Sequence, residues 1–231
     1  AGMKETLVAL NDAVRGMATA DRLQKIAAGR LVAAREAQAA ADERRKSDAQ
    51  AYWNASPMSW PRVSAELELQ LEPDAIIVPE LDYRSPFYWL DLDRGKKRLI
   101  GQTTGFALGW GIGAALGVKV ARPDQQVVCL VGDGALLFGQ VEALWTVARY
   151  EIPVIIVVMN NRSYDNERNR IQNNSPLLSN QDTRDLWKDV SCYLGDPLVD
   201  FSGLARSFSI PAERATDPAG FRKALKRAIA V

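Results

Sequence analysis

Two continuous apolar runs, Gln126–Val131 (QVVCLV) and Val154–Met159 (VIIVVM), flank a stretch from Leu136 to Arg149 with helical spacing through Leu137, Val141, Leu144, Trp145 and Ala148. Apart from Gln126 each run is apolar, as expected of a strand buried on both faces. Strand, helix and strand at this length demand a crossover, and a crossover joins parallel strands in the right-handed sense. The expectation is an α/β fold, a parallel β-sheet with helices on both faces. A further buried strand is expected in EPDAIIVPE, after a helix over Pro61–Leu71 that starts at a proline. Beyond Asn161 the pattern predicts a polar loop, a helix around Gln181–Lys188, and helices over Asp200–Phe208 and Pro218–Ala230.

Residues 1–56 read differently. Fourteen of the first fifty residues are Ala, so the apolar stripe Leu23, Ile26, Ala27, Leu31, Ala34 is narrow and buries little. This segment is expected to be an Ala-rich helical arm or interdomain linker, capped at Thr19 or Asp21, with a folded domain over 57–231.

Composition narrows the chemistry. The 231 residues are 47% apolar and 25% charged, which excludes disorder. Lys+Arg 29 against Asp+Glu 28 leaves +1, so no general basic field exists for nucleic acid or an acidic membrane surface. With His 0, imidazole catalysis and His-based metal sites are ruled out. The 2 cysteines, Cys129 and Cys192, form no CxxC or cluster motif, and a reduced, cytoplasmic setting is expected. No apolar run approaches the roughly 20 residues of a membrane helix, and the N-terminal residues lack a signal-peptide layout.

In a parallel crossover both strand tips lie on one sheet edge, where ligands bind in open α/β folds. Gly132-Asp133-Gly134 ends one strand and Asn160-Asn161 the next, with 25 residues, Ala135 to Met159, between them. Asp133 and Asn161 are expected to be neighbours. A carboxylate and a side-chain amide are hard oxygen ligands that suit Mg²⁺, which shares its ligands with phosphates. Gly132 and Gly134 leave backbone N–H groups uncovered, and a helix starting near Ala135 points its positive end at the same place. Taken singly, an Asp-Gly turn and a polar loop are ordinary. The pair at this spacing points to Mg²⁺ and a diphosphate.

The stretch FALGWGIGAALGVKVARPDQQVVCLVGDGALLFGQVEALWTVARYEIPVIIVVMNN resembles the diphosphate-binding domain of thiamine diphosphate (ThDP) enzymes, in the group of 2-oxo-acid decarboxylases, benzoylformate decarboxylase and acetolactate synthase. The resemblance implies ThDP and Mg²⁺ as cofactors. It implies side-chain metal ligands at Asp133 and Asn161, a backbone carbonyl ligand at Ser163, and cofactor contacts from Gly132, Gly134, Ala135 and Tyr164. Leu108 matches the aliphatic wedge that bends the cofactor into a V, and Phe106 the carbonyl that accepts from its amino group. Glu167 falls where some members carry an acid for substrate protonation. The cofactor carries the hard chemistry, which explains why no histidine is needed.

The resemblance also implies what the chain needs. A Glu from a pyrimidine-binding domain activates the cofactor in this group, so a second chain or domain is expected, in a dimer of heterodimers or higher oligomer. Expected substrates are small 2-oxo acids or hydroxy-ketone and acyl compounds, in decarboxylase, lyase or carboligase chemistry. LGWG and LWTVARY look nearer to benzoylformate decarboxylase; an acetolactate-synthase-like transferase is the alternative. The group is flavoprotein-like in part, yet no FAD site is evident. Gly113 stands where the group commonly has proline, and Tyr83 and Arg84 where it often has small hydroxyl residues. Two other readings remain open: a non-catalytic ThDP-fold protein, and a Rossmann nucleotide binder, because Gly109-x-Gly111-x-x-Ala114 mimics a dinucleotide fingerprint.

Overall fold

A computed structural model describes residues 2–81, 90, 98–101, 107–175 and 191–231. Phe106, Tyr83, Arg84 and the helix expected around Gln181–Lys188 lie outside the described residues. The chain divides into two compact units, Ala1–Tyr52 and Trp53–Val231.

The first unit is two helices, α1 (Met3–Met17) and α2 (Ala20–Ala51). Thr19 caps α2, its hydroxyl accepting from the Arg22 N–H at 3.4 Å. With Ala at so many positions, Ala49 is the one buried side chain on these two helices. Pairs three and four apart, such as Lys46–Glu43 and Gln38–Asp42, tie the polar surface of α2.

The second unit is built on a parallel sheet of four strands among the described residues, in the order β2 (Arg98–Leu99), β1 (Ile76–Glu80), β3 (Val127–Gly132), β4 (Ile155–Met159). Alternation along β1 and β3 sends side chains to two separate cores. Ile76, Val78, Val127, Cys129 and Val131 pack with α4 (Gly111–Ala121), α5 (Asp133–Leu137) and α6 (Ala143–Arg149) on one face. Ile77, Val128 and Leu130 pack on the other, with Val63 and Leu67 of α3 (Trp60–Glu68) and with Phe221 and Leu225. Helices therefore cover both faces, as the doubly apolar strands require. From β1 the chain steps to one side to make β2 and to the other to make β3, so the strand order reverses between the tips of β1 and β3.

Two expectations are corrected. The single helix over Leu136–Arg149 is two helices, α5 and α6, broken where Gly139 takes φ +88 and the Gln140 side chain turns inward, 1% exposed. The stripe is rephased accordingly: Leu136, Gln140, Leu144 and Val147 are buried, while Trp145 is 55% exposed. The segment after Asn161 is a loop only as far as Tyr164, and α7 (Asp165–Asn174) follows. Its start is stabilised by Asp165 and Glu167 in the first turn. The remaining helices, α8 (Phe201–Ser207) and α9 (Pro218–Ile229), fall where the sequence predicts them, with Asp217 capping α9 through the Gly220 N–H at 2.9 Å.

Candidate active site

Strands β3 and β4 are direct neighbours, with Gly132 beside Met159. Their tips therefore emerge side by side, carrying Asp133 and Asn160-Asn161. The turn beyond β4 is folded by its own amides. Asn160 Oδ1 accepts from the Arg162 N–H and Asn161 Oδ1 from the Ser163 N–H, both at 3.0 Å. Arg162 takes φ 60, which turns the chain back toward β3. Ser163 then pairs with Tyr193 as an antiparallel bridge whose hydrogen bonds are Tyr164 N–H to the Cys192 carbonyl and Leu194 N–H to the Arg162 carbonyl. In that pattern the carbonyl of Ser163 points away from Tyr193 and stays out of the ladder.

Asp133 is 3% exposed, and among the described residues its Oδ2 has no hydrogen-bond partner; the same holds for the Ser163 hydroxyl, in a residue 5% exposed. Burial pushes the Asp133 carboxyl above its usual value, countered in part by the nearby N–H groups of Gly134, Arg162 and Ser163. A buried carboxylate oxygen without a donor costs free energy until a cation supplies the missing charge. Asp133, Asn161 and Ser163 offer three hard oxygens, and this donor set fits a small divalent cation.

Gly134 is a glycine for a reason the motif does not disclose. A Cβ there would run into the Tyr164 ring, whose hydroxyl donates to the Gly134 carbonyl at 3.3 Å. Burial, and then the Asp133 carboxylate, push the Tyr164 phenol upward, so it stays a proton donor. At Gly132 a Cβ would make an ordinary van der Waals contact with Leu81, at 3.8 Å, and no closer one among the described residues. Ala135 is buried in the α5 turn. Leu108 is 41% exposed. Glu167 stands on α7 and makes a surface ion pair with Arg170 at 3.3 Å.

The tip of β1 carries a group that the sequence reading missed. Glu80, 5% exposed, accepts from three successive backbone N–H groups, Gly109 (2.5 Å), Trp110 (3.2 Å) and Gly111 (2.6 Å). Gln140 donates to Glu80 at 2.8 Å and accepts from the Ile112 N–H at 2.6 Å. The glycines of Gly109-x-Gly111 thus serve an internal carboxylate. Gly109 has φ +94, and a Cβ on Gly111 would lie 2.8 Å from Glu80 Oε2. The N-terminus of α4, where a Rossmann fold holds its pyrophosphate, is filled by the protein's own anion, and the nucleotide reading loses its site. The only hint in the sequence was an acid ending an apolar strand.

Comparison with known proteins identifies the family. Residues 88–231 match the family model described as thiamine pyrophosphate enzyme, C-terminal TPP binding domain. The chain is 32% identical over 147 residues to an acetolactate synthase large subunit of Parasynechococcus marenigrum, covering 64% of this chain and 22% of that protein. It is 29% identical over 157 residues to a benzoylformate decarboxylase of Pseudomonas aeruginosa, covering 68% of this chain and 27% of that protein. A ThDP-dependent 4-hydroxybenzoylformate decarboxylase of Rhodococcus jostii RHA1 superposes with a TM-score of 0.62 at 29% identity, over 76% of this chain and 31% of that one. The chain thus spans about a quarter of the length of these curated relatives. None of the three is named as a flavoprotein, and the flavoprotein likeness is without support. Members of the matched family bind thiamine diphosphate with Mg²⁺, and the unpartnered acid at the β3 tip suits that pair. With the match running over most of the second unit, the chain belongs to the family of C-terminal TPP-binding domains of thiamine pyrophosphate enzymes.

Proposed function

We propose that this chain is the diphosphate- and Mg²⁺-binding part of a ThDP-dependent enzyme that cleaves or forms a carbon–carbon bond next to a carbonyl. The observation that carries the reading is the buried, partnerless Asp133 oxygen beside the Asn161–Ser163 turn. Asp133, the Asn161 amide oxygen and the Ser163 carbonyl would hold the metal. The backbone of Gly132, Gly134 and Ala135 would face the diphosphate, with Tyr164 closing the Gly134 side. Leu108 would support the rings of the cofactor, and the Phe106 carbonyl would accept from its amino group. When bound, ThDP supplies the carbon nucleophile and the electron sink. The protein's part is to hold charge, fix orientation and exclude water.

Glu167 would serve as a proton donor to substrate only after leaving Arg170, which makes it a residue of the assembled enzyme. The pyrimidine-binding Glu would come from a partner chain or domain, in a dimer of heterodimers or higher assembly. A cytoplasmic setting fits Cys129 and Cys192, buried thiols that are in no disulfide. Decarboxylase, lyase or carboligase action on a 2-oxo acid or hydroxy-ketone leads; an acetolactate-synthase-like transferase is the second reading, favoured by the relatives of that name.

Titration calorimetry with Mg²⁺ and ThDP tests the core of this. The chain is expected to bind ThDP only with the metal present, and Asp133→Ala to abolish that binding. Tight, metal-independent binding, or retention in Asp133→Ala, would overturn it.

A further inference from the structure

We propose that Glu80 and Gln140 are positioning residues that lock the Leu108 turn against the Asp133 segment, and that the chain's preference for ThDP over bare diphosphate depends on this lock. The inference rests on the function proposed above and goes one layer deeper.

The four N–H groups at the start of a helix have no intrahelical acceptor. At α4, whose N-cap is Trp110, the N–H groups of Trp110, Gly111 and Ile112, together with that of Gly109 just before them, are taken by two side chains from elsewhere in the chain. Glu80 comes from the β1 tip. Gln140 comes from the break between α5 and α6, and its amide also donates to the Ala135 carbonyl at 2.9 Å, two residues beyond Asp133. One buried amide thereby joins α4, β1 and α5. It also accounts for the break that divides the expected helix, because a continuous helix would not place Gln140 at this junction.

The lock fixes more than backbone. Gly109 lies so close to the turn after α5 that a Cβ would come within 2.5 Å of the Phe138 carbonyl oxygen. On either side of that contact stand two apolar side chains left open to solvent, Leu108 at 41% and Phe138 at 59%. An apolar ledge thus adjoins a site built for charge. A ligand with a diphosphate and apolar rings would use both parts; pyrophosphate would use one. Burial, and then the Glu80 carboxylate, push the Cys129 thiol up to about 12, which keeps the cysteine an inert wall. Because both polar groups are satisfied within the protein, they contact no ligand and act through Leu108.

The test compares Mg²⁺-ThDP with Mg²⁺-pyrophosphate by calorimetry on the full 231-residue chain. Wild type is expected to prefer ThDP. Gln140→Leu and Glu80→Gln are expected to keep pyrophosphate affinity within about twofold and to lose about 10–100-fold in ThDP affinity, the range for residues that orient direct contacts. Leu108→Ala should show the same signature. The double variant Leu108→Ala/Gln140→Leu should lose little more than either alone, because both act through one contact. Equal binding of the two ligands by wild type, an unchanged ratio in the variants, or additive losses in the double variant would overturn the lock and leave the metal site standing. Failure of both Glu80→Gln and Gln140→Leu to fold would show a purely structural role and overturn it as well. If wild type binds neither ligand, the proposed function falls first and this inference with it.

Discussion

At Asp133 a single atom separates function from stability. Its Oδ2 is buried and unpartnered, so the metal-free protein bears a desolvation cost that a cation would relieve. Asp133→Asn is therefore expected to raise the melting temperature of the metal-free chain by about 2–5 °C while ending Mg²⁺-dependent ThDP binding, the usual trade between activity and stability. Scanning calorimetry with and without Mg²⁺ checks both halves; a lower metal-free melting temperature would contradict the argument. Next to it, Gly134→Ala would drive a methyl into the Tyr164 ring. Overpacking of this kind costs about 1–3 kcal/mol. Tyr164→Ala in the same chain should recover part of that loss in urea titrations, because it removes the side chain that collides.

Among the elements, α3 and α9 are joined across one face of the sheet by a charge pair as well as by Leu67, Phe221 and Leu225. Arg222 grips Glu66 with two hydrogen bonds, at 2.8 and 2.7 Å, and Arg62 adds a third at 3.0 Å. The Arg222 hydrogen bond leads in holding the Glu66 carboxyl below its ordinary 4.5, against the opposing effect of burial. A depressed carboxylate stabilises the fold above its unfolded value, and that contribution is lost as pH falls through the folded one. Glu66→Gln should thus be less stable than wild type at pH 7, with the gap closing below the ordinary carboxylate range. Urea midpoints measured from pH 7 down to acid would show this; a gap that stays constant would count against the pair. Helix α4 offers the opposite case. A Cβ on Gly113 or Gly117 meets nothing within 4 Å. Changing each to Ala should stabilise by about 0.5–1 kcal/mol, because glycine in a helix leaves more backbone entropy to lose.

The whole molecule divides energetically as it divides in space. The Trp53–Val231 unit owns both cores, whereas Ala1–Tyr52 buries only Ala49 among its described helical residues. A chain beginning at Trp53 is expected to keep a cooperative thermal transition, while residues 1–52 alone should melt gradually and lose helicity with salt, since pairs such as Lys46–Glu43 are exposed. Circular dichroism of the two pieces checks this. The partner chain or domain proposed above would be revealed by its mass in native mass spectrometry of material from the source organism.

Much of this was legible in one dimension because it depends on local pattern. Apolar runs at Val127–Val131 and Ile155–Met159 read as strands, the first buried as expected and the second, at the sheet's edge among the described residues, only half-buried; the spacing from Asp133 to Asn161 is the length of one crossover, so fold class and the paired tips follow from residue order. Helices α8 and α9 follow from periodicity and the Asp217 cap in the same way. What residue order could not supply was any contact between segments far apart in the chain. Glu80 and Gln140 are separated by 60 positions, and each looks like an ordinary polar residue until β1, α4 and α5 meet. The break at Gly139 was equally hidden, because the helical period runs through it and what offsets an uninterrupted helix is the set of bonds Gln140 makes to Glu80, the Ala135 carbonyl and the Ile112 N–H. Periodicity reports which face a residue prefers; tertiary packing decides which unsatisfied group it must reach.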